Sequence, residues 1–230
     1  MPNDGAVILT GAASGIGRAA AEALAKKSRP LALVDVNAEQ LNQVVDLCRK
    51  NSPGTTGFTG DVSSEASVTR TCQEIHERFG TPRVLVNCAG IGRFAPFLEI
   101  EPAEWVRMFH VNVMGTVLFT RAVLPDMIAA GGGTIVNVGS RMAMDAHAST
   151  TAYAATKAAI LGFSRSLAAE VGVKGVKVTF LAPGGTKSNL ATPKHDGYLE
   201  PAAIADAIVY ITENVGNVWV RDLVVLPLGF

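Results

Sequence analysis

The chain has 230 residues, 48% hydrophobic and 17% charged, with 20 basic and 20 acidic side chains and zero formal charge. That balance suits a large buried core and excludes a disordered or heavily solvated chain. It offers no basic patch for nucleic acid or an anionic membrane surface as partner.

The elements alternate along the chain. A strand at 6–10 (AVILT) leads into a glycine-rich turn and a helix at 15–28. A strand at 30–35 and a helix at 38–50 follow, then a strand at 55–61 and a helix at 64–79. The fourth strand, 83–87, precedes a long helical pattern at 102–130. Strand 133–140 and helix 151–173 come next, then strand 176–182, helix 201–214 and strand 222–227. Several strands are apolar throughout, as strands covered on both faces are. The alternation predicts one α/β domain over 1–230, a doubly wound parallel sheet of about seven strands with helices on both faces. Ligands of such sheets bind outside the carboxyl ends of the strands.

Candidate site residues fall at those ends. Thr10–Gly17 (TGAASGIG) joins a strand to a helix. Its glycines permit a tight turn and close approach of backbone to a pyrophosphate, which the helix N-terminus favours. Asp35 ends the second strand, 18 residues after Gly17. A carboxylate there accepts from both hydroxyls of an adenosine ribose and repels a 2′-phosphate, selecting NAD over NADP. Tyr153 and Lys157 lie four apart, on one face of the 151–173 helix, 13 residues after Ser140. A phenol is a poor base near neutrality, and an adjacent ammonium favours the phenolate. The spacing therefore predicts that Lys157 lowers the pKa of Tyr153 and makes it a proton-transfer group.

These residues, with Asp61-Val62, Asn87-Cys88-Ala89-Gly90, Asn112 and Pro183-Gly184, closely resemble the classical short-chain dehydrogenase/reductase family in order and spacing over nearly the whole chain. The resemblance implies a Rossmann-type domain and a catalytic set of Asn112, Ser140, Tyr153 and Lys157. Tyr153 would exchange the proton and Lys157 would also hold the nicotinamide ribose. Ser140 would bind the substrate oxygen, and Asn112 would hold a water for proton relay. Cofactor contacts would come from Gly11, Ser14, Gly15, Ile16, Gly17 and Asp35. Asp61 and Val62 would add contacts at the adenine. Asn87, Ala89 and Gly90 would lie along the cofactor, with Pro183, Gly184, Thr186 and Ser188 after the sixth strand. Two departures stand out: Cys88 replaces the usual asparagine, and Pro-Gly-Gly-Thr-Lys-Ser introduces Gly185, which would make that stretch more pliable.

The implied activity is hydride transfer between NAD(H) and a secondary alcohol or ketone, with no metal. An NADPH-dependent 3-oxoacyl-thioester reductase and a non-catalytic dinucleotide sensor are the alternatives. Residues 185–200 would form a short lid over the substrate. Arg93, Phe94, Arg141, Met142, Met144 and His147 are candidate pocket residues, of which Arg93 and Arg141 could bind an anion. The family forms dimers through the 102–130 and 151–173 helices, and VVLPLGF could support a tetramer. Three cysteines without a CxxC pair argue against disulfides and zinc and fit a reducing cytoplasm. No window holds the 18 or so uncharged apolar residues of a membrane span, and the first residues carry no signal-peptide pattern.

Overall fold

Period-two alternation sorts the first strand onto two cores. In β1 (Val7–Thr10), Val7 and Leu9 face one side of the sheet and Ile8 the other. The computed structural model describes residues 5–188, 190, 195–214 and 216–228. Residues 189 and 191–194 of the expected lid lie outside them.

The remaining strands are β2 (Leu31–Asp35), β3 (Thr56–Thr59), β4 (Val84–Asn87), β5 (Gly133–Val138), β6 (Val176–Pro183) and β7 (Asp222–Val225). They form a seven-stranded sheet in the order β3-β2-β1-β4-β5-β6-β7. Every pairing is parallel. Helices α1 (Gly15–Ala25), α2 (Ala38–Arg49) and α7 (Pro201–Glu213) cover one face. Leu24, Leu41 and Ile208 pack there on Leu9 and Leu33. Helices α3 (Glu65–Phe79), α5 (Gly115–Ala129) and α6 (Thr151–Val171) cover the other, where Phe119 and Met127 pack with Ile8, Leu85 and Ile135. The doubly wound parallel sheet expected from the sequence is therefore observed.

The helices start where the chain supplies caps. Asn37 accepts from Gln40 N ahead of α2, and Ser64 from Ser67 N ahead of α3. Glu101 and Glu104 form a reciprocal capping box at α4 (Pro102–Met108). The helix expected over 102–130 is not uniform. A π-helical turn, Phe109–Met114, separates α4 from α5. Asn112 lies within it, buried and tied to other elements: Oδ1 accepts from Ile91 N (2.8 Å), and Nδ2 donates to Ile91 O (2.9 Å) and Thr156 Oγ1 (3.0 Å). Single π turns of this kind concentrate at functional sites. The Pro102–Ala129 run is long and apolar enough to cross a membrane by length and composition alone. Its apolar character here serves the sheet, onto which Phe119, Val123 and Met127 pack.

The chain reverses its direction of travel across the sheet between β1 and β4, which is where doubly wound folds open a crevice. Thr10 closes the base of that crevice. Its Oγ1 accepts from Cys88 N and Ala89 N, both at 3.2 Å, and so fixes the loop leaving β4.

Candidate active site

A cavity of about 1050 Å³ lies over the carboxyl ends of the strands. Small-molecule sites span roughly 300–1,000 Å³, so this one suits a large ligand or a ligand with a co-substrate. One end is the glycine turn. A Cβ on Gly17 would lie 1.9 Å from Gly11 O, and one on Gly11, at φ +70°, would lie 2.7 Å from Ala89 Cα. Only glycine allows α1 to begin this close to β1 and β4. The first-turn N–H groups of Gly15, Ile16 and Gly17 have no acceptor within the helix, and the Ser14 side chain does not cap them. All four residues line the cavity. This is a cradle for a phosphate group, and the residues present fit a dinucleotide.

Asp35 also lines the cavity, but its carboxylate already has work in the chain. Oδ2 accepts from Ala13 N (3.0 Å) and Oδ1 from Asn37 N (2.9 Å). Each oxygen keeps one acceptor site for a ribose hydroxyl. Asp61, Val62, Ala89 and Gly90 line the same crevice, as do Pro183, Gly184, Thr186 and Ser188. Ser188 overhangs the turn, with its Cβ 3.4 Å from where a Gly15 Cβ would be.

At the other end Ser140, Tyr153 and Lys157 converge, each with at most 9% of its surface exposed. Lys157 Nζ donates to Val138 O (2.9 Å) and lies 5.5 Å from the Tyr153 ring centroid. Burial pushes the Tyr153 phenol up to about 12, opposed by its hydrogen bond with Ser140 and assisted by Cys88. Burial also brings Lys157 down to about 8, against a smaller opposing effect of Cys88. In the chain by itself the Tyr153 phenol thus lies above its ordinary value. Desolvation is the largest cause of both displacements.

Other residues depart from their expected places. Asn87 and Asn112 do not line the cavity. Asn87 Nδ2 donates to Asn137 Oδ1 (2.9 Å) and Thr120 Oγ1 (3.1 Å) beneath it. Both Asn112 Nδ2 protons are used by Ile91 O and Thr156 Oγ1, Oδ1 accepts from Ile91 N, and the backbone carbonyl accepts from Thr116 Oγ1 (2.9 Å). Arg93 pairs with Glu104 (3.3 Å), and neither Arg93 nor Met144 lines the cavity. Arg141, Met142 and His147 do. Arg141 is engaged by Asp145 (Nη1–Oδ2, 3.1 Å) and by His147 Nε2 (2.7 Å). A guanidinium only donates, so Nε2 is the acceptor and the ring proton is on Nδ1. Cys88 lines the cavity, and burial raises its thiol to about 12, against the pull of Lys157, so it is no nucleophile.

Sequence reasoning missed several cavity residues. Ala103, Val106, Arg107 and His110 line it from one face of the helix, and their i, i+3, i+4, i+7 spacing was the available signal. Leu226 and Pro227 follow β7, and Tyr198 precedes α7. Loop residues are clamped here too: Ser149, at φ +63°, accepts from Ala95 N (3.0 Å) and ties the loops after β4 and β5 together.

The short chain dehydrogenase family profile matches residues 5–198. D-threitol dehydrogenase from Mycolicibacterium smegmatis is 40% identical over 195 residues, covering 84% of this chain and 75% of that protein. The crystal structure of 3-ketoacyl-(acyl-carrier-protein) reductase from Brucella melitensis complexed with NADH superposes with a TM-score of 0.90 at 26% identity, over 96% of each chain. An alcohol dehydrogenase from Thermococcus sibiricus complexed with 5-hydroxy-NADP gives 0.89 at 28% identity, over 96% of this chain and 95% of that one. A match of this extent, joined to the glycine cradle and the buried Ser140–Tyr153–Lys157 group, makes the chain an oxidoreductase that belongs to the short-chain dehydrogenase family.

Proposed function

We propose that the protein is an NAD(H)-dependent dehydrogenase that interconverts a secondary alcohol and its ketone. The observation that carries this reading is one crevice holding Asp35 at one end and the Ser140–Tyr153–Lys157 group at the other. A nicotinamide dinucleotide held there supplies the hydride acceptor or donor and, when oxidised, a positive charge. Gly15, Ile16 and Gly17 offer N–H groups to its phosphates, and the spare acceptor sites of Asp35 suit an unphosphorylated ribose. Tyr153 gives a proton to the substrate oxygen in reduction and takes one in oxidation. Ser140 hydrogen-bonds the same oxygen as charge develops on it. Lys157 donates one N–H to Val138 O, which aims the ammonium and leaves two donors for ribose hydroxyls. The substrate would be uncharged near its reacting carbon, because the Arg141 guanidinium is already paired with Asp145 and His147. Similarity to a D-threitol dehydrogenase supports a hydroxylated substrate.

The test is binding of NAD(H) and NADP(H), followed by NADH formation across a panel of secondary alcohols. Preferential NAD(H) binding with turnover is expected. Tyr153→Phe should keep dinucleotide binding and lose turnover by at least about 10²-fold, the scale of a general acid–base contribution. Preference for NADPH with turnover of 3-oxoacyl thioesters would establish the other reading, which similarity to a 3-ketoacyl reductase favours. NAD binding without any turnover would mark a dinucleotide sensor.

A further inference from the structure

Gly185 has a steric purpose that its sequence context does not reveal. A Cβ there would lie 2.6 Å from both Cδ1 and Cε1 of Tyr198 and 3.0 Å from Cζ. Real Cβ atoms do not approach a ring so closely, so the Tyr198 ring rests on the bare backbone of Gly185. Flanking contacts fix both residues. Leu199 N donates to Gly185 O (2.8 Å), Lys187 N donates to Leu199 O (2.8 Å), and Lys187 Nζ pairs with Glu200 (2.7 Å). The ring of His195 meets Tyr198 edge-on at 5.1 Å.

Gly185 stands two residues beyond the end of β6, next in the sheet to β5, after which Ser140 follows. Tyr198 lines the cavity that holds Ser140 and Tyr153. Phe94 lines it as well, edge-to-face with Tyr153 at 5.2 Å. The cavity that holds Ser140 and Tyr153 therefore carries two further aromatic rings in its lining. One comes from the loop after β4 and the other from a pinned backbone pair after β6.

We infer that Tyr198, seated on Gly185, sets the length limit of the substrate, and that the enzyme takes short hydroxylated alcohols and rejects extended acyl chains. A bulky ring resting on the Gly185 backbone, with the His195 ring edge-on beside it, fills space that added methylenes would need. The inference rests on the dehydrogenase reading above and names its substrate class. Tyr198 acts as a specificity-determining wall, and its phenol is not asked to transfer a proton.

The experiment measures kcat/KM for 2,3-butanediol, 2,3-hexanediol and 2,3-octanediol with NAD in the wild type and in Tyr198→Ala, Tyr198→Phe and Gly185→Ala, alongside NADH affinity. In the wild type each extension should lower kcat/KM by on the order of tenfold, the scale of steric discrimination in a fixed pocket. Tyr198→Ala should flatten the series, raising the octanediol-to-butanediol ratio at least about tenfold. Tyr198→Phe should keep the wild-type series, because the ring is what matters. Gly185→Ala should displace the ring and lower kcat/KM for the shortest diol, with NADH affinity within about twofold of wild type. Parallel series in wild type and Tyr198→Ala, or a Gly185→Ala effect confined to NADH affinity, would overturn the inference and leave the dehydrogenase reading standing. Absence of wild-type turnover on every alcohol and ketone would overturn the dehydrogenase reading, and the length limit with it.

Discussion

Lys157 and Tyr153 carry opposite displacements from one cause. Burial disfavours the charged form of each, taking the ammonium from 10.5 to about 8 and the phenol from 10.0 to about 12. Between pH 8 and 10.5 the unfolded chain keeps a Lys157 proton that the folded chain has released, so stability rises with pH through that window. Between pH 10 and 12 Tyr153 reverses the trend, because the folded chain then holds the extra proton. Denaturant titrations of wild type and Lys157→Met at pH 7.5 and pH 10 should show the wild type gaining up to about 3 kcal/mol relative to the variant. A second residue prediction concerns Asp35. Asp35→Asn removes the charge and one of the two acceptors that hold Ala13 N and Asn37 N. The NADP-to-NAD affinity ratio should rise at least about tenfold, with a small fall in melting temperature measured on the free protein. The Tyr153–Lys157 spacing showed that both side chains share a helix face. It could not show that the face is buried, and burial reverses the direction of the Tyr153 shift.

At the scale of elements, Asn112 holds the π turn to the loop after β4 through two hydrogen bonds with Ile91 and to α6 through one with Thr156. Asn112→Ala leaves the Ile91 N–H and carbonyl without these partners. It should destabilise the fold by about 2 kcal/mol in chemical denaturation. It should also lower kcat more than dinucleotide affinity, since Ile91 adjoins the catalytic end of the cavity. The ends of the long helix were legible, because Glu101-Pro102 starts it and Gly131 follows it. The π turn was not. A shift in hydrogen bonding inside a helix depends on tertiary partners, and Ile91 and Thr156 are remote from Asn112 in sequence. Tyr198 escaped notice for the same reason: its significance is a contact with Gly185, on the far side of the predicted lid.

The parallel, doubly wound character of the sheet was legible from alternation, because most of its buried strands read as apolar runs, whereas the strand order is set by tertiary packing. The surface asks for more. β7 pairs only with β6 and forms one edge of the sheet. Val224 and Leu226 are each 44% exposed there, and Val218 and Trp219 are exposed nearby. Such an edge is a template for pairing with another chain. The apolar run VVLPLGF, expected from the sequence to support a second interface, begins in this strand, and a mass measurement tests that expectation. Light scattering should give a mass that is a multiple of the 24.0 kDa chain. Val224→Lys combined with Leu226→Lys should lower that mass and leave the far-ultraviolet circular dichroism unchanged.

The paired backbone of Gly185, Lys187 and Leu199 has an evolutionary reading. The hydrogen bonds from Leu199 N to Gly185 O and from Lys187 N to Leu199 O tie the two ends of one connection to each other. Chain can be inserted or exchanged inside it for a closure cost of only about 0.6 kcal/mol per doubling of length. Relatives sharing this sheet could then diversify their substrates by swapping a cassette, while β6 and α7 keep their places.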